Sequence, residues 1–138
     1  MIRLLLFYGF LVFSLIGCES VGLLTSIRNY YEVAPQVKLG EDKEKALGLL
    51  LPAQEKLYGW EKKAPESYKE GGNLVEIYYF RTGWQTDGLT TDDEFVPYVF
   101  TNGVLTSIGW TALGGPKTVG QVIQPAPVTN IEVNQEKN

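Results

Sequence analysis

Residues capable of chemistry lie closest together in the acidic loop, residues 87–94, which contains Asp87, Asp92, Asp93 and Glu94. Hard cations such as Ca²⁺ bind several oxygen atoms, and carboxylates, hydroxyls and carbonyls supply them. The glycine and glutamate spacing of an EF-hand is absent, however. The residue types of the loop, though not their spacing, are compatible with a calcium or small-ligand site. The simpler interpretation is a solvated hairpin connection, which is long enough to serve as a binding element.

The usual catalytic residues are missing. The chain contains no histidine, which removes the commonest general base and most zinc sites. No serine after residue 18 lies in a Ser-x-x-Lys or Gly-x-Ser-x-Gly sequence, and no phosphate-binding glycine loop is present. The net charge is −4, without the basic clusters that nucleic-acid binding requires. The sequence predicts no enzyme activity, no cofactor and no nucleic-acid partner.

The single cysteine, Cys18, follows an apolar stretch at residues 4–16 that is preceded by Arg3. This stretch is shorter than the roughly 20 helical residues that span a bilayer, so it is typical of a cleaved secretory signal. An uncleaved signal anchor and an ordinary buried cysteine are the alternatives.

Residues 15–18, Leu-Ile-Gly-Cys, resemble the lipobox of bacterial lipoproteins. The resemblance implies that residues 1–17 are a signal peptide and that Cys18 becomes the acylated, palmitate-bearing first residue. Two or more acyl chains would hold such a chain stably at a membrane. Glu19, rather than Asp, follows the cysteine, which by the sorting rule of enteric lipoproteins indicates the periplasmic face of the outer membrane. The inner membrane is the alternative.

The mature chain divides into three parts. Residues 18–38 form a stem, in which apolar residues recur at spacings of three and four, so a flexible tether and a short helix are both compatible. Residues 39–114 form the folded domain. Residues 115–138 contain Pro125 and Pro127, which predicts an extended or disordered tail, with an added edge strand as the alternative.

Within the domain, residues 40–52 predict an amphipathic helix that is capped by Asp42 and closed by Pro52. A weaker helical segment follows at 55–60, and then a loop at 62–73. Val, Ile, Tyr and Phe residues predict a first strand near 74–81, and two further strands flank Asn102-Gly103, a strong hairpin signal.

These elements predict an α+β fold: a two-layer sandwich with one or two helices packed on a three-stranded antiparallel meander. Pro97 cannot donate a ladder hydrogen bond, so we expect its strand at an edge or at a bulge. Trp84 and Tyr98 are candidates for a contact surface, because Trp and Tyr are enriched at interfaces. The predicted core consists of Ala46, Leu47, Leu50, Leu51, Ile77, Tyr79, Val99, Phe100, Leu105 and Ile108.

The order of these features resembles the BamE (SmpA/OmlA) group of outer-membrane lipoproteins. The matching pieces are the lipobox, the helix from Gly40 to Pro52, Tyr-Tyr-Phe at 78–80, the acidic loop, and the final strand pair with Gly103 and Ile108-Gly109. The closest similarity is to an uncharacterised branch of that group. The resemblance implies helices packed on an antiparallel sheet and, for BamE itself, a non-enzymatic accessory role in folding β-barrel proteins into the outer membrane.

The leading hypothesis is therefore a membrane-anchored envelope scaffold, which binds a protein partner through its aromatic sheet surface and the acidic loop. The predicted partner-binding residues are Trp84, Asp87, Asp92, Asp93, Glu94 and Tyr98. A small-ligand or calcium-binding envelope protein and an inhibitor of an envelope enzyme are the alternatives.

Replacing Cys18 by Ala is expected to abolish labelling with radioactive palmitate and to leave the signal uncleaved, because the thiol is the attachment point. Gel electrophoresis and autoradiography of labelled cells measure both effects. A wild-type chain that takes up no label would contradict lipidation.

Overall fold

The computed structural model describes residues 19–121, which form two helices and one antiparallel sheet. The helices are α1 (Glu19–Val33) and α2 (Lys43–Ala53), and the strands are β1 (Glu66–Glu70), β2 (Asn73–Arg81), β3 (Phe95–Thr101) and β4 (Val104–Ile108). The strand order in the sheet follows the chain, β1-β2-β3-β4. The predicted α+β fold is confirmed, with four strands instead of three.

The predicted signal peptide and Cys18, and residues 122–138 of the predicted tail, lie outside the described residues. None of the helices between residues 19 and 121 combines the length and hydropathy of a transmembrane span.

α1 replaces much of the predicted stem and belongs to the folded unit. Leu23 and Tyr30 are buried, and the Tyr30 hydroxyl lies 3.0 Å from the Tyr98 hydroxyl of β3 in a hydrogen bond. Burial and this hydrogen bond raise the pKa of Tyr30, so its hydroxyl stays protonated. The domain therefore begins well before the predicted boundary at residue 39, because α1 supplies part of the core.

α2 agrees closely with the predicted helix. Asp42 is its N-cap residue but makes no side-chain capping hydrogen bond, and Pro52 lies inside the last turn instead of ending the helix. Ala46 and Leu50 are fully buried, one turn apart on the face that meets the sheet. Leu51 is 52% exposed, so its placement in the core was wrong. Its position puts it on the neighbouring side of the helix.

β1 lies within the segment that was predicted to be a loop. All five residues of β1, Glu-Ser-Tyr-Lys-Glu, are exposed, so the strand has neither the apolar alternation nor the composition of a half-buried strand. Gly71 and Gly72 connect it to β2 and both have positive φ, as a two-residue type I′ hairpin loop requires. The weaker helical segment predicted at 55–60 is a turn followed by a 3₁₀ turn at Gly59–Glu61.

Asn102 and Gly103 form the predicted hairpin turn between β3 and β4, with φ of 50° and 81°. Pro97, however, lies in the interior strand β3 and not at the bulge, which falls between Val99 and Phe100. The Gly109 N–H donates to the Pro97 carbonyl, so the Pro97 nitrogen faces the side on which β4 has ended. The missing N–H therefore omits only the reciprocal bond to the Gly109 carbonyl, one residue beyond the end of β4.

The two faces of the sheet carry separate apolar clusters. The face toward the helices packs Phe80, Tyr98, Phe100 and Leu105 against α1 and α2. The opposite face carries a smaller cluster of buried valines and an isoleucine, bordered by Tyr79 and Leu113. Of the predicted core, the structure buries Ala46, Leu50, Ile77, Val99, Phe100 and Leu105, leaves Leu47 and Tyr79 half-buried, and exposes Leu51 and Ile108.

Leu50→Ala is expected to lower the free energy of unfolding by about 2–5 kcal/mol, because Leu50 is fully buried between α2 and the sheet. Leu51→Ala is the matched control and should cost less than about 1 kcal/mol, since half of that side chain is already in water. Urea denaturation measures both values, and equal losses would contradict the assigned helix face.

Candidate functional site

Arg81 and Glu94 form a buried ion pair at the base of the loop between β2 and β3. The Arg81 Nη2 lies 2.9 Å from the Glu94 Oε2, and the two side chains are 3% and 1% exposed. Glu94 also accepts hydrogen bonds from the backbone N–H groups of Gln85 and Thr91. Each partner is thus hydrogen-bonded within the fold, as a buried charge must be.

Gln54 extends this network to the end of α2. Its side-chain amide donates to the Arg81 carbonyl at 2.6 Å, and its side-chain oxygen accepts from the Arg81 N–H at 2.8 Å. The Arg81 guanidinium also donates to the Glu61 carbonyl. On the side away from β3, the end of β2 is therefore paired with the side chain of Gln54, which directly follows α2, rather than with another strand.

Asp92 connects the acidic loop to two other segments. Its Oδ1 lies 2.6 Å from the Lys63 Nζ, and its Oδ2 accepts from the N–H groups of Lys117 and Thr118. Burial opposes ionisation of Asp92, but the Lys63 ammonium and the amide donors outweigh it, so the pKa of Asp92 lies below its ordinary value.

Asp93 and Asp87 hold the same C-terminal segment. Asp93 accepts from the Thr91 hydroxyl and the Gly120 N–H, and these donors lower the pKa of Asp93. Asp87 accepts from the N–H of Gln121 at 2.8 Å. Residues 117–121, which belong to the predicted extended or disordered tail, are therefore bound to the acidic loop by at least three carboxylates.

The predicted role of the acidic loop in partner binding is not supported by this geometry. Asp92 and Glu94 are buried, and Asp87, Asp92, Asp93 and Glu94 all accept hydrogen bonds from other residues of the chain. In the part of the chain from residue 19 to 121, no group of three or more acidic, cysteine or histidine side chains is arranged to hold a metal ion. The loop carboxylates bind the loop to other segments of the same chain.

The two aromatic residues of the predicted contact surface lie in different environments. Tyr98 is 1% exposed and packs edge-on against Phe80, so its assignment to a contact surface was wrong: it belongs to the core. Trp84 is 55% exposed and lines a cleft with Trp60 and Leu89. Trp84 is thus available for contact but is not brought together with Tyr98.

The ladder between β1 and β2 ends before β2 does. Glu66, the first residue of β1, pairs with Ile77. Alternate residues of a strand direct their backbone groups to opposite sides, so the N–H and C=O of Tyr79 face away from β3 and toward the β1 side. With Gln54 paired to Arg81, Tyr79 is left with no partner among residues 19–121 for its N–H and C=O.

A largely apolar cleft of about 190 Å³ opens beside this unpaired backbone. We refer to it as the β2-edge cleft. Leu51, exposed on α2, and Tyr78 and Phe80 of β2 supply apolar surface, and Lys62 lies at its margin with its side chain exposed. The cleft is lined by Leu51, Gln54, Lys62, Lys63, Pro65, Tyr78, Tyr79 and Phe80.

Lys63 and Tyr79 also line a second cleft, of about 150 Å³, on the opposite face of the sheet. The Lys63 ammonium lies 4.3 Å from the centre of the Tyr79 ring, a cation–π contact. The Tyr79 hydroxyl donates to Glu66, and burial together with this bond raises the pKa of Tyr79. Lys63 and Tyr79 are therefore fixed in place, which gives the β2-edge cleft one rigid wall.

The other edge of the sheet is covered. The Gly40 N–H donates to the Leu105 carbonyl, the Leu105 N–H donates to the Glu41 carbonyl, and the Lys43 N–H donates to the Gly103 carbonyl. The segment that leads into α2 thus pairs with β4, and the free backbone edge lies on the β1 side. Sequence reasoning missed this edge because β1 itself was missed; Gly71-Gly72 was the available signal.

Three comparisons with known proteins give no match: no protein-family model matches the chain, and no curated protein or solved structure is significantly similar to it. The resemblance to the BamE group therefore stays a prediction.

Asp92→Asn is expected to speed amide hydrogen exchange in residues 117–121 by about tenfold or more at neutral pH, because hydrogen bonds to a charged acceptor contribute about 1.5–3 kcal/mol. Exposed Glu70→Gln is the control and should leave these amides unchanged. Hydrogen exchange followed by mass spectrometry measures the effect. Equal exchange rates in both variants would show that Asp92 does not hold residues 117–121 against the loop.

The same carboxylates predict a pH dependence. Because the folded pKa values of Asp92 and Asp93 lie below their unfolded values, their stabilisation is present above about pH 4 and is lost as the pH falls further. The melting temperature of the wild type should fall over this range. It should fall less in a variant with both residues replaced by Asn, and parallel curves would contradict the assignment.

Proposed function

We propose that this chain is a lipid-anchored envelope protein that works as a non-enzymatic binding module and receives an extended segment of a partner protein at the β2-edge cleft. The proposal rests on the unpaired N–H and C=O groups of Tyr79, which lie between the start of β1 and the Gln54 amide. An extended peptide that lies along this edge forms main-chain hydrogen bonds like those of an added strand.

The cleft favours a peptide over a small molecule. Its volume of about 190 Å³ is below the roughly 300–1,000 Å³ of usual ligand pockets but suits one or two side chains. Leu51 and Tyr78 offer apolar contact for such a side chain. Lys62 favours an acidic residue nearby, because its ammonium forms no ion pair with residues 19–121.

The partner class rests on the resemblance to the BamE group. Chains on their way into an outer-membrane barrel present extended, alternating apolar segments, and such segments suit a free strand edge. Lipidation of Cys18 would hold the cleft at the periplasmic face of the outer membrane, where these chains are assembled. We therefore propose a supporting role in barrel-protein assembly.

The alternative of a calcium-binding acidic loop has less support. Asp87, Asp92 and Asp93 already accept hydrogen bonds within the chain, and Glu94 neutralises Arg81. A bound cation would have to replace these contacts.

Site-specific photocrosslinking in cells tests the proposal. A photoreactive amino acid at position 51 is expected to form an adduct with an unassembled outer-membrane barrel protein, the partner whose extended segments suit the cleft. The same amino acid at position 39, where Leu39 is 62% exposed outside the cleft, is the matched control. Leu51→Asp should reduce co-purification of that partner, whereas Leu39→Asp should not. Equal adducts at both positions, or none at position 51, would contradict the cleft as the binding site.

A further inference from the structure

A patch of exposed aromatic side chains lies apart from the β2-edge cleft. Trp60 is 70% exposed and Trp84 is 55% exposed, and both line a cleft of about 170 Å³ together with Leu89 and Leu23. Tyr58 stacks on Trp60 with ring centres 4.6 Å apart. We refer to Tyr58, Trp60, Trp84 and Leu89 as the tryptophan patch. Side chains of this size are usually exposed in clusters only where something binds them.

The patch lies beside the start of α1. Leu23, in the second turn of α1, lines the same cleft as the two tryptophans. The first turn of α1 packs close to the segment that carries Tyr58 and Trp60: a Cβ atom added to Gly22 would lie 3.4 Å from the Lys56 carbonyl oxygen. The end of the molecule at which the described chain begins is therefore the end that carries the patch.

Chain length limits how far Cys18 lies from this patch. Cys18 directly precedes Glu19, the first residue of α1. With about 1.5 Å of rise per helical residue and about 3.8 Å between consecutive Cα atoms, the Cα atoms of Cys18 and Leu23 are at most about 10 Å apart. Acyl chains on Cys18 would therefore enter a bilayer next to the tryptophan patch.

We propose that the tryptophan patch docks against the surface of the lipid bilayer and sets the orientation of the domain on the membrane. Trp and Tyr favour the membrane–water interface, where the ring is partly buried and the polar N–H or O–H group remains hydrated. Val21 and Leu24, both more than half exposed in the first turns of α1, add apolar surface at the same end of the helix. This proposal rests on the anchoring of Cys18 in the proposed function.

The three tryptophans of the chain allow a direct test. Full-length chain is expressed, purified in detergent and reconstituted into vesicles of brominated phosphatidylcholine, which quenches tryptophans that reach the bilayer. Trp60→Phe, Trp84→Phe and the double variant are compared with the wild type. Trp110 is the internal reference, because it packs against Tyr79 in a cleft that neither Trp60 nor Trp84 lines, and its Nε1 donates to the Phe95 carbonyl.

The wild type and both single variants should be quenched several-fold more than the double variant, which retains only Trp110. Equal quenching in all four proteins would overturn the docking proposal. Self-association that shields Trp60 and Trp84 from the lipid, detected by chemical crosslinking, would also overturn the proposal. A failure of the chain to bind the vesicles would do the same. Mass spectrometry of the same preparation reports lipid on Cys18. A lipidated chain without quenching leaves the anchor intact and rejects only the docking surface, whereas an unmodified Cys18 rejects the anchor.

Discussion

The buried ion pair of Arg81 and Glu94 is the interaction on which the arrangement of this fold depends. It lies where β2 ends and β3 is about to begin, so it determines the path of the loop between them. Removing one member of such a pair leaves an uncompensated charge in the interior and typically costs about 3–5 kcal/mol. Because Arg81 is also bonded to Gln54 and to the Glu61 carbonyl, the pair holds α2, a 3₁₀ turn and the loop together.

The free edge of the sheet follows from this arrangement. Gln54 bonds to the backbone of Arg81, whose side chain Glu94 holds, and the Gln54 amide takes the place that a residue of a longer β1 would occupy. On the opposite side, residues 40–43 pair with β4 and close that edge. Strand edges that stay open are a hazard for aggregation, and proteins commonly keep them short or charged. Within β2 the opening is limited to Tyr79, between the start of β1 and Gln54, and β1, the terminal strand on that side, is short, exposed and largely polar or charged.

Local patterns predicted the elements whose signals are themselves local. The apolar spacing in α2, the β-branched and aromatic run of β2 and the Asn102-Gly103 turn lie in short stretches of sequence, and the structure has all three. β1 was missed because every one of its residues is exposed, so its pairing comes from the Gly71-Gly72 turn and not from burial. The acidic loop was misjudged because its partners are distant: Lys63 and residues 117–121 meet the carboxylates only in the folded chain. The amino-acid composition shows the negative charges of the loop, but it does not show which groups of the folded chain bind them.

β2 is open at Tyr79 while the rest of the strand is paired, and amide hydrogen exchange measured by NMR for each residue distinguishes the two environments. Tyr78 and Phe80 direct their N–H groups toward β3, whereas the Tyr79 N–H faces the cleft. The Tyr79 amide is expected to exchange much faster than those of both neighbours in the free protein, under conditions in which the domain stays folded. A Tyr79 amide as protected as those of Tyr78 and Phe80 would show that the edge is already covered, and would contradict the proposed binding site.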